Sequence, residues 1–501
     1  MTHSVSRRAV LGGLLAGAVA GPALASAPLA SLRPLPRGTL PPPPAPPAAD
    51  AIIAAARLGG QVSFAMADLD DGRMIEVRDP FLAQPPASVA KTLTALYALD
   101  ILGPDFRFPT RVIATGPILN GRVEGDLVLA GGGDPTLDTD GLGDLAAAMK
   151  AAGVREVAGH FRIWGGALPF LPGIDADQPP HVGYNPAIGG LNLNYNRVHF
   201  EWKRGANGYD VSMEARAERF SPRVQIARMS IGAEQGPVYL YRQEDGIDRW
   251  SVARKALGDG GSRWLPVRRP EAYAGEVFQS LSRSYGIELK PGGPLTTAPE
   301  GTVVAERHSD DLRTLMRDML RWSTNLTAEA SGLMASQAIG PQPGDLAASA
   351  ARMNAWAGAR FGAERAALID HSGLGYGSAI SAADMVRVLS AAERDMGLSA
   401  ILRDFPVSGA DGDRGPIAGL EVSAKTGTLN FVSALAGFAR TEAGAGARRG
   451  MAFAIFTADT ARRDAVPIEQ REQAEGAREW ARRSRRLQQD LILRWADLQG
   501  A

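Results

Sequence analysis

The sequence predicts a mixed α/β protein of the α+β kind, an antiparallel sheet flanked by helices and split by a large β-rich insertion. Three observations carry that expectation. An opening set of helical and strand-like stretches gives way, from about residue 106 to 299, to short β segments broken by glycine. Helical periodicity then returns in SDDLRTLMRDMLRWSTNLTAEASGLMASQAI and SAADMVRVLSAAERD. Three strand-like runs, LEVSAKTGTL, VSALAGFART and GMAFAIFTAD, follow ahead of a last helix. Residues 51–105 and 300–501 are therefore read as two halves of one domain. The insertion, 106–299, is expected to form two subdomains.

The N-terminus, residues 1–25, reads as a targeting segment. Arg7 and Arg8 form its charged region, Ala9 to Ala20 its apolar run, and Ala23-Leu24-Ala25 a small-x-small cleavage site. Ser6-Arg7-Arg8 followed by Ala9, Val10 and Leu11 resembles a twin-arginine signal. The apolar run is short for a bilayer, which favours removal over an uncleaved anchor. No later stretch is apolar enough to span a membrane, so the mature chain is expected to be soluble and outside the cytoplasm. Residues 26–50 are proline-dense and read as an extended tether.

AADAIIAAARL then predicts a short helix, and QVSFAMADLDDGRMIEV two strands joined at Asp71-Gly72. Pro85-Pro86 suits the start of a helix that runs to Gly103-Pro104. Inside the insertion, RVIATGPILNGRVEGDLVLAGGGDPTL, VREVAGHFRIW and GGLNLNYNRVHFEWKR carry the β character, with a turn at Asn120-Gly121. The last element, Gln470 to Leu498, spaces leucines, isoleucine and tryptophans helically, and is expected to pack on the sheet with its RRSRR run facing solvent.

Composition narrows the function classes. The 501 residues include 54 acidic and 54 basic side chains, so no net positive field is present to hold nucleic acid. Cysteine is absent, which excludes disulfides, thiolate metal sites and cysteine nucleophiles. The six histidines, at 3, 160, 181, 199, 308 and 371, show no metal-ligand spacing, so neither metal nor cofactor is expected.

Lysine occurs only at 91, 150, 203, 255, 290 and 425, with arginine supplying the other basic residues. Lys91 follows Ser88 by three positions, just inside an apolar helix, and this is the only S-x-x-K in the chain. Residues three apart share a helix face, so the amine can reach the hydroxyl. Unlike arginine, lysine can shed its proton in a dry or crowded site and so activate a serine nucleophile. The plain alternative is an exposed helix turn. Ser323-x-Asn325 lies where LRWSTNLTAEA breaks one helix and restarts another. There a hydroxyl can relay a proton to a leaving group and an amide can bind a substrate backbone, although both residue types also serve as ordinary caps. Lys425-Thr426-Gly427 interrupts a strand run, and glycine in a strand marks close approach of another backbone or ligand. Lysine and threonine on an edge strand can hold the carboxylate of a substrate added as an extra strand, the alternative being a simple turn. Ala424 stands where a phosphate loop needs glycine.

S-x-x-K, S-x-N and K-T-G in this chain order form the signature of penicillin-binding proteins and serine β-lactamases. The long insertion, its GDLVLAGGGDPTL stretch, the DHSGLGYGSAISAADMVRVL segment and AKTGTLNFVSALAGFA extend the likeness. From about residue 51 the sequence resembles the D-alanyl-D-alanine carboxypeptidases of the DacB type, peptidase family S13. His371, Gly375 and Tyr376 depart from that family's D-G-S-G-L-S-R segment.

The resemblance implies the serine β-lactamase/DD-peptidase-like fold and action on peptidoglycan stem peptides through an acyl-enzyme on Ser88. It implies Lys91 as base, Ser323 as proton relay to the leaving D-alanine, and Asn325 as guide for the acyl chain. Lys425, Thr426, Gly427 and Thr428 would bind the terminal carboxylate, with the N–H groups of Ser88 and Thr428 as oxyanion hole. Lys425 close to Lys91 would disfavour two ammoniums and keep Lys91 neutral. β-Lactams are the implied inhibitors and the periplasm, reached by the twin-arginine route, the implied location. The rival readings are a DD-endopeptidase cutting D-alanyl–diaminopimelate crosslinks, a β-lactamase, which the insertion disfavours, and a catalytically silent wall-binding module. Asp175 and Asp177 could hold the cationic end of diaminopimelate, or simply belong to a surface loop.

Overall fold

The computed structural model describes residues 47–500 apart from 233–236, 408–416, 418 and 443–447. The targeting segment and most of the proline-rich stretch lie outside the described residues. Ala49 and Asp50, counted with the tether, already belong to the Ala49–Ala56 helix.

The two sequence halves meet in one six-stranded antiparallel sheet. Its order is Arg403–Asp404, Leu420–Leu429, Val432–Glu442, Arg448–Ala458, Gln61–Asp68, Met74–Arg78. The join places Ala65 opposite Ala454. Side chains alternate across a strand, and here both faces are covered. Ala65, Ala67, Ala434, Ala436, Phe438, Ala454 and Phe456 share a core with the helices around Leu93, Met316 and Met385. Phe64, Met66, Leu435, Phe453 and Ile455 pack instead on Ile52 and on Leu487, Leu491 and Trp495 of the closing helix.

The Ala90–Leu102 helix lies inside this assembly, with every residue from Ala90 to Leu99 buried. Such a helix has no polar face to give to water. The closing helix spans Ala477–Gly500, starting later than the spacing predicts. Gly476, at φ 74°, separates it from a short 3₁₀ turn at Ile468–Gln473. In its RRSRR run Ser484 points inward to Thr457 (2.7 Å) while Arg482 and Arg486 pair with Glu479 and Asp490.

Among the described residues the middle of the chain builds four further sheets around one core that runs from Val112 to Ala305, the smallest pairing Ile118–Leu119, Arg122–Val123 and Glu156–Val157. The five-stranded sheet orders Pro291–Pro294, Phe161–Trp164, Leu127–Gly131, Pro109–Ala114 and Thr302–His308. Thr302–His308, assigned to the outer domain from sequence, thus pairs antiparallel with Pro109–Ala114 and carries the inserted sheet past residue 299. Three-stranded sheets form around Arg197–Gly205 and around Ile247–Ala253. Among the described residues, no helix is long and apolar enough to cross a membrane.

Trp495 is fully buried, packs edge-on to Phe64 at 5.5 Å and donates its indole N–H to Glu76 at 2.7 Å. Trp495→Ala is expected to cost about 3–5 kcal/mol of stability. A shift in the denaturant midpoint worth less than ~1 kcal/mol would show that the closing helix contributes little to the sheet's stability.

Candidate active site

The turn Ala87–Val89 precedes the buried helix and holds Ser88 half-buried at its mouth. Ala87 takes φ 46°, a left-handed conformation that costs a non-glycine residue free energy and persists only where packing enforces it. One turn on, Lys91 is completely buried, its Nζ 3.1 Å from Ser88 Oγ. The same Nζ donates to the carbonyl of Ser372 at 2.7 Å. Burial lowers the Lys91 pKa to about 8, against the opposing pull of Glu329 and Asp370. The sequence reading credited Lys425 with keeping Lys91 neutral. Burial is the leading cause, and the repulsion between the two lysines, which lowers Lys425, is mutual and acts in the same direction on Lys91.

Ser323 caps the Leu312–Trp322 helix at φ 60°, and the next helix begins at Asn325. The predicted break therefore lies between the two residues of interest, and both line the same cleft as Ser88. Lys425 Nζ donates to Ser323 Oγ at 3.0 Å and to the Thr426 carbonyl at 2.9 Å. Burial, then repulsion from Lys91 and Arg403, holds the Lys425 pKa well below the usual lysine value. Asn325 donates to the carbonyl of Tyr184 at 2.7 Å, tying the site to the insertion.

Gly427 explains its own presence. A Cβ there would sit 2.6 Å from the Pro86 carbonyl oxygen and 3.0 Å from Ser88 N, so only glycine lets the strand lie against the serine turn. Thr428 is exposed and lines the cleft, Thr426 is half-buried, and Lys425 and Gly427 are buried behind them. Arg403–Asp404 covers this strand only at Ala424 and Ser423, so among the described residues this edge is free of strand pairing from Lys425 onward.

Two buried carboxylates escaped the sequence reading. Glu329 accepts the backbone N–H groups of His371 and Ser372, at 3.0 and 2.9 Å. Asp370 accepts those of Gly373 and Gly375, at 2.6 and 2.5 Å. Burial foremost pushes both carboxyls above their ordinary range. Together they hold the loop that presents the Ser372 carbonyl to Lys91. One signal was available: Glu329 is the only charged residue in NLTAEASGLMASQA.

His371, a departure from the family segment, fills space that Gly332 leaves open, since a Cβ at 332 would lie 2.2 Å from the imidazole. It meets Ser349 Oγ at 2.7 Å, and burial lowers its pKa to about 3, so it is neutral. Asp175 lines the cleft, whereas Asp177 lies beside Arg471, whose Nη1 donates to its carbonyl at 2.6 Å. Among the described residues, no group of three or more histidine, aspartate or glutamate side chains could hold a metal ion.

A serine hydroxyl beside a desolvated amine, with a second hydroxyl held by a second lysine across an open strand edge, is an arrangement suited to acyl transfer. Comparison with known proteins agrees. A model of the D-Ala-D-Ala carboxypeptidase 3 (S13) family matches residues 47–480, and the chain belongs to that family of serine DD-peptidases. It is 29% identical over 440 residues to the D-alanyl-D-alanine carboxypeptidase of Actinomadura sp. (strain R39), covering 78% of this chain and 77% of the relative. It is 25% identical over 403 residues to D-alanyl-D-alanine carboxypeptidase DacB of Haemophilus influenzae, covering 76% and 82%. The crystal structure of penicillin binding protein 4 (dacB) from H. influenzae superposes with a TM-score of 0.71 at 19% identity, over 89% of this chain and 99% of that one, which shows the shared fold.

Glu329→Gln keeps the shape but sets an amide N–H₂ against a backbone N–H. It is expected to lower stability by about 1–3 kcal/mol, the cost of an unsatisfied buried donor. An unchanged denaturant midpoint would show that the carboxylate does not hold the loop.

Proposed function

We propose that Ser88 is the nucleophile of a serine D-Ala-D-Ala carboxypeptidase acting on peptidoglycan stem peptides, with Lys91 as its base. The observation that carries this reading is a fully buried amine 3.1 Å from the Ser88 hydroxyl with its pKa lowered to about 8. Neutral Lys91 takes the Ser88 proton as Oγ attacks the carbonyl between two terminal D-alanines. The N–H groups of Ser88 and Thr428 receive the oxyanion, each worth about 3–4 kcal/mol in comparable sites. Ser323, hydrogen-bonded to Lys425, hands its proton to the departing amine and takes in its place the one that Lys91 received from Ser88. Asn325 aligns the acyl chain, and water then frees the shortened peptide. Thr428 meets the terminal carboxylate at the open edge, with Thr426 and the Lys425 charge behind it and Gly427 giving the strand room.

In this reading residues 51–105 and 309–501 supply the chemistry, and the insertion, extended to the Thr302–His308 strand, supplies one wall of the cleft. The signal-like residues 1–25, although outside the described residues, support export to the periplasm by the twin-arginine route. β-Lactams, which resemble the scissile peptide, would acylate Ser88; a solved structure of the H. influenzae protein contains a β-lactam.

Fluorescent penicillin should label the purified protein covalently, and Ser88→Ala should abolish both label and D-alanine release from a pentapeptide. A folded wild-type protein that takes no label would overturn the reading. The labelling rate should rise with pH and level off above about 8, since the base works only when deprotonated. A rate that stays flat between pH 6 and 9 would remove Lys91 from that role.

A further inference from the structure

The closing helix carries a run of arginines whose partnering depends on which way they face. Arg482 pairs with Glu479 at 2.6 Å and Arg486 with Asp490 at 2.9 Å, both within the helix. Arg494 pairs with Glu76 at 2.7 Å. Arg478 and Arg485 are different. Both line the cleft that holds Ser88, Ser323 and Thr428, both are exposed, and neither has an acidic or hydrogen-bonding partner among the described residues. Seven residues apart, they stand on one helix face about 10 Å from each other along the axis. Ala477 and Ala481, also lining the cleft, leave the surface between them low.

The cleft's own acids do not neutralise them. Glu472 is taken by His181 at 2.8 Å and Arg263 at 2.5 Å, and Asp175 accepts Gln178 at 2.8 Å. Arg463 lies over the Tyr376 ring, and Arg471 donates to the Asp177 carbonyl. Among the described residues two unpaired guanidinium forks therefore remain on the wall of the cleft that holds Ser88, and such forks match carboxylates. Arg485 lies past residue 480, where the family match stops.

We propose that Arg478 and Arg485 form a subsite for a carboxylate on the substrate that is not the one being cut beside. Resting on the DD-peptidase reading above, the substrate class is a stem peptide whose γ-linked glutamyl residue keeps its α-carboxylate free. The subsite acts on specificity and takes no part in bond breaking.

The test compares two pentapeptides ending in D-Ala-D-Ala, identical except that the γ-glutamyl α-carboxyl is free in one and amidated in the other. D-Alanine release is measured for the wild-type full chain and for Arg478→Gln/Arg485→Gln, after circular dichroism shows that both are folded. Wild type should favour the free acid in kcat/KM by about two- to fivefold, the scale of one exposed ion pair. That preference should shrink with added salt and vanish in the double variant. Equal rates in wild type, or a preference that survives in the variant, would overturn the subsite while leaving the peptidase reading intact. Wild-type protein that neither takes penicillin nor releases D-alanine from either peptide would overturn both.

Discussion

Burying one amine shapes the rest of this structure. Lys91 sits on a helix that water does not reach, and an ammonium there carries a large desolvation cost. The protein meets that cost in two ways. The proton is held loosely, and two carboxylates, Glu329 and Asp370, are placed in the same interior. Those carboxylates must then be satisfied in turn, and the N–H groups of His371, Ser372, Gly373 and Gly375 do so. The loop so ordered returns the Ser372 carbonyl to Lys91. In the proposed reading, reactivity and local folding thus rest on a single buried polar network, in which each member is costly to lose.

Three distant parts of the chain close on the cleft. The serine turn and the open strand edge come from the two halves of the central sheet, and Gly427 lets them touch. The insertion enters through Tyr184, whose carbonyl holds Asn325. The C-terminal segment enters through residues 471 and 472. The Arg471 carbonyl accepts from Asn430, its guanidinium reaches the Asp177 carbonyl, and Glu472 binds His181 and Arg263. These contacts bridge the sheet and the insertion across one rim of the site, so the walls that select a substrate are built by parts that do no chemistry themselves.

The legible features were those with a local signature. Ser88 and Lys91 declare themselves by helical spacing, Ser323 and Asn325 by a broken helix, and Lys425 to Thr428 by glycine in a strand. Glu329 was missed although it is the lone charge of its helix, because nothing near it in sequence shows that its donors are the N–H groups of residues 371 and 372. His371 was noted as a departure, but its fit against Gly332 joins positions 39 apart. Arg485 read as one of a solvated basic run, since sequence does not show which arginines of that run have partners.

By itself the sequence determined the split of the sheet domain around an insertion, the family, the three motifs and the elements that flank them, because each is written in short-range periodicity or in residue types of fixed spacing; it read the insertion as β throughout and missed its helices Thr139–Ala151 and Pro270–Ser284. Only the tertiary structure decided that burial, ahead of a second lysine, loosens the Lys91 proton. It alone paired Thr302–His308 with the inserted sheet and left Arg478 and Arg485 without partners among the described residues. Desolvation, strand pairing and ion pairing depend on what lies across space from a residue, and those neighbours are set when the whole chain packs.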